Sequence, residues 1–139
     1  MKWSRFLLAT LAVFVASSLL NFVIHGLLLK SAYGSSEDLM RTPADSQSHA
    51  IYLLVGFLFF SIGFVWIFIA GVNQSPWINQ GLHYGALMWL VASVSRYVIY
   101  YAIQPWPLGT VVEQIGLELV MMLILGVLVA AFYRTKASV

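Results

Sequence analysis

The sequence has no cysteine, and of its 139 residues only 9% are charged and 4 are proline. The missing cysteine excludes disulfides, thiolate metal sites and a cysteine nucleophile, and leaves the redox compartment open. The scarcity of charge has a wider consequence. A soluble domain of this size buries only about 70% of the surface its unfolded chain exposes, so a chain this poor in ionic groups would leave large apolar areas in water. The formal net charge of +2 rests mostly on basic residues near the two ends and offers no basic patch to nucleic acid. Catalytic signatures are absent too: there is no zinc-protease helix motif, phosphate-binding loop or nucleophile elbow.

What is present is apolar. Hydrophobic residues make up 61% of the chain, and the mean hydropathy is +0.89. Crossing about 30 Å of hydrocarbon takes roughly 20 helical residues. Four segments satisfy this: Phe6 to Leu29, Ile51 to Val72, Leu82 to Ile103 and Leu108 to Phe132. The expected architecture is an all-α transmembrane four-helix bundle, one integral membrane domain over residues 1–139, with an outward loop at 31–50. Lys2 and Arg5 ahead of an apolar run, with small Ala16, Ser17 and Ser18, also suit a signal peptide. The run continues to Leu29, however, beyond the roughly 7–15 residues of a signal core, and is read as a span.

Helix starts are expected at Thr42-Pro43-Ala44-Asp45, Ser75-Pro76 and Thr110-Val111-Val112-Glu113, each pairing a capping side chain with first-turn residues. The first would begin helix two about seven residues outside the membrane. Pro105 and Pro107 force a tight break between spans three and four, and Ser31 to Arg41 is left as an irregular loop. Lys2 and Arg5 at one end, with Arg134 and Lys136 at the other, place both termini on the cytoplasmic side. Trp3, Trp77 and Tyr133 on the inner side, and Tyr33, Tyr52 and Trp106 on the outer, form two aromatic belts. Small residues Gly56, Gly63 and Ala70 at heptad spacing, Ala12 with Ala16, and Gly126 with Ala130 are packing lines, expected within the chain before between chains.

The few polar residues inside the spans fall into stripes: Ser18, Asn21 and His25; Ser93, Arg96 and Tyr100; Gln114 and Glu118. At 1.5 Å per residue, Arg96 and Glu118 both sit about 10–12 Å below the outer surface. An arginine inside a span costs about 3 kcal/mol to insert and needs a partner, and Glu118 is the acidic residue at its depth. An Arg96–Glu118 pair is expected, with Asn21, Gln114, Ser93, Tyr97 or Tyr100 and His25 completing its hydrogen bonds. Ser17 and Ser18 are expected to bond back to their own helix.

Histidines raise haem and metal readings. His83 lies near the inner end of its span and His25 near the outer end of another, so they cannot share one iron, and no cofactor is expected. His25, His49 and Asp45 form a weak metal candidate at the outer surface, and with Arg41 the sparse case for an enzyme. Glu113 reads first as a capping carboxylate.

The strings Asn21-Phe22-Val23-Ile24-His25-Gly26, Arg41-Thr42-Pro43-Ala44-Asp45-Ser46-Gln47 and Tyr100-Tyr101-Ala102-Ile103-Gln104-Pro105 resemble an uncharacterised family of short four-span bacterial inner-membrane proteins with no assigned activity. The resemblance implies the fold and a bacterial cytoplasmic membrane, and nothing of mechanism. Small multidrug transporters share the span number but carry their essential glutamate in the first span, where this chain has none. The leading functional expectation is a non-enzymatic accessory or assembly subunit of a membrane complex, or a homo-oligomer. A small-solute or ion- or proton-coupled transport protein built on the Arg–Glu site comes second, and a haem or metal protein third. Expected partners are the lipid bilayer and another membrane protein or a second copy, and not nucleic acid.

Overall fold

The computed structural model describes residues 2–71 and 76–134, apart from the side chain of Ser35. Among the described residues, six helices carry the chain. They are α1 (Trp3–Leu28), α2 (Lys30–Tyr33), α3 (Pro43–Ser48), α4 (Ala50–Ala70), α5 (Trp77–Ile103) and α6 (Leu108–Tyr133). A 3-10 stretch, Gly34–Leu39, follows α2, and no strand occurs among the described residues. Helices α1, α4, α5 and α6 are each long and apolar enough to cross a membrane. Their apolar residues run all the way round: Leu7, Leu11, Phe59, Trp66, Val91 and Ile103 point outward and are more than half exposed. A helix apolar on every face suits hydrocarbon rather than water. The chain is a multi-pass all-α membrane protein.

The core forms around α6. Met121, Met122, Leu125 and Val129 are buried against Phe6, Ala9 and Val13 of α1 and Phe64, Val65 and Phe68 of α4. Helix α5 lies along α6 at very close range because glycines face each other. A Cβ at Gly85 would stand 2.4 Å from the carbonyl oxygen of Met122, and one at Gly126 would stand 2.2 Å from that of Gly81. Gly81 and Gly85 are thus a small-xxx-small contact that lets two backbones touch. Gly126 and Ala130 meet them, as their spacing suggested, but Gly56 and Gly63 do not pack: a Cβ at either would meet nothing within 4 Å. Gly56 and Ala70 are exposed, so the heptad line on α4 is not an intramolecular seam. The backbones of α4 and α5 stand apart. Tyr84 bridges them, its hydroxyl donating to the carbonyl of Phe64 and its ring meeting Phe64 and Phe68 at 4.8 and 5.1 Å.

Three local expectations are corrected. Thr42 does cap, accepting from the Asp45 amide at 3.3 Å, but α3 ends at Ser48 and α4 starts separately at Ala50. Thr110 is not a cap: α6 begins two residues earlier at Leu108, behind Pro107, whose fixed φ suits a helix entry, and Thr110 is buried in the first turn. Ser31 to Arg41 is not irregular, since α2 and the 3-10 stretch occupy most of it. Ser75, Val72 and Lys136 lie outside the described residues. The break at Pro105 and Pro107 separates α5 from α6. Ser17 and Ser18 both donate to the carbonyl of Phe14, at 3.1 and 2.8 Å.

Candidate functional site

Glu118 lies on the inward face of α6 with a side chain 1% exposed, and three neighbours on α5 converge on it. Arg96 Nη2 donates to Oε1 at 2.7 Å and to Oε2 at 3.0 Å. The Tyr97 hydroxyl donates to Oε1 at 2.5 Å, and Ser93 Oγ donates to Oε2. Arg96 also lies over the Tyr97 ring, 4.7 Å from its centroid. Ser93, Arg96 and Tyr97 share one helix face because they are separated by three and four residues. Each donor offsets part of the several kcal/mol needed to bury a carboxylate, at about 1.5–3 kcal/mol per charge-assisted bond.

A second set of residues reaches the same carboxylate from α1. His25 Nε2 stands 3.5 Å from Oε1, long for a hydrogen bond but close enough for strong electrostatic coupling. Its Nδ1 meets the Tyr33 hydroxyl at 2.5 Å, and that oxygen accepts from Gln114 Nε2 at 3.0 Å. The His25 and Tyr33 rings are parallel, 6.0 Å apart, and Trp106 packs edge-on against Tyr33. Since Gln114 donates to the Tyr33 oxygen, the hydroxyl proton can go to Nδ1 of a neutral imidazole, leaving N–H at Nε2 facing Glu118. A protonated imidazole would donate from both nitrogens, to Tyr33 and to Glu118. The result is a side-chain path Gln114–Tyr33–His25–Glu118. Burial raises the pKa of Tyr33 above its usual 10.0, so it stays a neutral donor at physiological pH.

Two departures from regular α-helix frame the site. The end of α1, Phe22–Leu28, and the middle of α5, Trp89–Val94, are wound as π-helix. His25 lies in the first and Ser93 in the second. A π-turn holds an extra residue and rotates the next turns of the helix, and such turns recur at functional positions. The Trp89 indole donates to the carbonyl of Ile115 at 2.8 Å, tying the second π-segment to α6.

The path opens into a vestibule of about 540 Å³ lined by His25, Tyr33, Tyr97, Gln104, Trp106 and Gln114 among others. On another side, Arg96 and Glu118 form the floor of a cleft of about 280 Å³ between α4 and α5.

The structure thus brings Ser93, Arg96, Tyr97, His25 and Glu118 together, with Gln114 joined through Tyr33. Two expected members stand aside. Asn21 donates to the Ser17 carbonyl at 3.0 Å and to Met121 Sδ at 3.3 Å, not to the carboxylate. Tyr100 is 42% exposed and has no bond to Glu118, because Tyr97 fills that place. Tyr33, expected in an outer aromatic belt, turns inward; its only sequence signal is a position eight residues after His25. The outer group splits as well. Asp45 pairs with Arg41 at 2.7 Å and His49 at 3.2 Å, while His25 is held by Tyr33 and Glu118. His25, His49 and Asp45 therefore form no metal set, and among the described residues no three His, Cys, Asp or Glu gather for a metal ion. Glu113 is exposed, and so is His83, which lies with Asn79 beside a separate cleft between α4 and α5.

Fold and site together define a multi-pass membrane protein with a buried, multiply hydrogen-bonded carboxylate. No protein-family model, curated protein or solved structure matches the chain. The geometry alone carries the functional reading.

Proposed function

We propose that this chain is a non-enzymatic proton- or small-solute-coupled transport or binding protein of the bacterial cytoplasmic membrane, working at the Glu118 centre. The observation that carries the reading is the path Gln114–Tyr33–His25–Glu118, which starts at an open vestibule and ends on a carboxylate 1% exposed. A pair serving only to hold helices in register needs no histidine between carboxylate and solvent. An ionisable residue inside a span marks an ion or proton route. Lys2, Arg5 and Arg134 lie at the opposite end of the bundle, so the positive-inside rule turns the vestibule outward.

The test is a pH jump on the protein reconstituted in a supported membrane, with charge displacement recorded. Acidification on the vestibule side is expected to give a transient current that Glu118→Gln abolishes and that His25→Gln and Tyr33→Phe slow. A Glu118→Gln protein that folds and gives the wild-type current overturns the reading.

A second reading, the accessory or assembly subunit, is favoured by one separate observation. Gly56, Gly63 and Ala70 lie along α4 with nothing packed on Gly56 or Gly63, a surface on which another helix can seat. Retention of a second membrane protein in native mass spectrometry, lost in Gly63→Leu, supports it, and a monomer free of other chains counts against it.

A further inference from the structure

The vestibule that His25 borders has a chemistry of its own. At about 540 Å³ it falls within the roughly 300–1,000 Å³ of pockets that hold a small molecule. Its walls are rich in π systems: Tyr33, Tyr97, Tyr100 and Trp106 all line it. The Tyr33 and Trp106 rings stand 5.9 Å apart at 65°, so they form a corner rather than a stack. Trp106 lies in the break between α5 and α6, and its indole N–H donates to Gln104 Oε1 at 2.8 Å, which holds the ring in place.

One buried polar atom meets this space without a partner. Gln114 lines the vestibule and is 6% exposed, and its Nε2 is used on Tyr33. Its Oε1 accepts from no donor among the described residues. An amide oxygen left in that state within a buried side chain is unfavourable, and a ligand N–H would satisfy it.

Charge decides which ligand. Among the described residues no lysine, arginine or carboxylate lines the vestibule, and Arg96 and Glu118 behind it neutralise each other. His25, the lining group that can become cationic, is held between Tyr33 and Glu118. Around the mouth, in residues 30–45 and the first turns of α6, Lys30 and Arg41 stand against four carboxylates, Glu37, Asp38, Asp45 and Glu113. The outer end therefore has a net negative field, which draws cations and repels anions. Aromatic faces discriminate in the same sense: their quadrupole attracts a cation, most where water is partly excluded.

From this we infer that the vestibule binds an organic ammonium ion, its charge in the corner of Tyr33 and Trp106 and an N–H on Gln114 Oε1. The inference names a solute for the transport or binding reading above and rests on it.

Equilibrium dialysis at neutral pH, with the protein in phosphatidylcholine nanodiscs and empty nanodiscs subtracted, tests it. The probes have similar shapes and different charges: 2-phenylethylammonium, 2-phenylethanol and phenylacetate. Wild type is expected to bind the ammonium about tenfold tighter than the alcohol, and phenylacetate no better than background. Trp106→Leu keeps apolar bulk and removes the ring, so it is expected to erase that preference while helix content and unfolding temperature stay at wild-type values. Gln114→Leu is expected to weaken the ammonium about tenfold and to leave its N-trimethyl analogue, which has no N–H, unchanged. Equal binding of ammonium and alcohol by wild type overturns the inference, as does a preference that survives Trp106→Leu or tighter binding of phenylacetate. A wild type that gives the Glu118-dependent proton current without an ammonium preference loses this inference alone. Ammonium binding without that current supports the site and removes the proton-coupled reading.

Discussion

Neutralising the two ends of the Arg96–Glu118 pair should not cost the same. Glu118 is 1% exposed and Arg96 is 45% exposed. Arg96→Gln removes the charge partner of a carboxylate that is almost wholly buried, a situation that costs about 3–5 kcal/mol when a buried pair is broken from one side. Ser93 and Tyr97 still donate to it, so the lower end of that range applies, about 3 kcal/mol. Glu118→Gln keeps an acceptor for those hydroxyls and strands a guanidinium that is already half out of the core and can extend its stem toward the interface. Its cost is discounted for that exposure to about 1–2 kcal/mol. The double variant strands neither charge and should lie within about 1 kcal/mol of Glu118→Gln alone. The assay is a double-mutant cycle on reversible unfolding in mixed micelles, which gives a coupling free energy of about 3 kcal/mol if the charges meet as described. Equal destabilisation in the double variant and in Arg96→Gln would refute the pairing. A greater loss in Glu118→Gln than in Arg96→Gln would refute the burial argument.

Packing and titration supply the other expectations. Gly85→Leu and Gly126→Leu force side chains into facing backbone and should each cost more than about 2 kcal/mol, whereas Gly63→Ala enters open space and should be neutral or stabilising by about 0.5–1 kcal/mol. Thermal unfolding separates the two classes. Burial raises the pKa of Tyr33, so its contribution to stability is complete below about pH 10 and is lost as pH rises from there through the folded-state value. Wild type should therefore lose more stability than Tyr33→Phe between pH 9 and pH 11, roughly, and parallel alkaline curves would refute the placement of Tyr33. Trp89→Phe removes the bond to the Ile115 carbonyl and should cost about 1 kcal/mol, with native-state hydrogen exchange rising around Ile115 rather than uniformly.

Much of the polar centre was legible before any contact was known. Arg96 and Glu118 are opposite charges at comparable depth in separate spans, and the cost of an unpaired charge in hydrocarbon leaves few partners to choose from. The choice of Tyr97 over Tyr100 was not legible, since both lie on helical spacing from Ser93 or Arg96 and the choice depends on how α5 is wound through Trp89–Val94. No sequence rule marks a π-turn, because it arises from competition between backbone geometry and packing. Asn21 was expected at the carboxylate from its depth alone, but its rotation about α1 carries it to Met121.

What the sequence determined by itself is the solvent and the count: four uninterrupted apolar segments of spanning length can be satisfied only as hydrogen-bonded helices in lipid. Their order of packing was decided by the tertiary structure. Gly56, Gly63 and Ala70 had the better-spaced line, yet the close contact formed at Gly81, Gly85 and Gly126, where glycines on two helices face each other. One helix's sequence records which face can be approached, and never which neighbour approaches it. The same limit applies to Tyr33. Between His25 and Gln114 it becomes part of the route to Glu118 only because α2 folds back beneath Trp106, a contact between segments far apart in the chain.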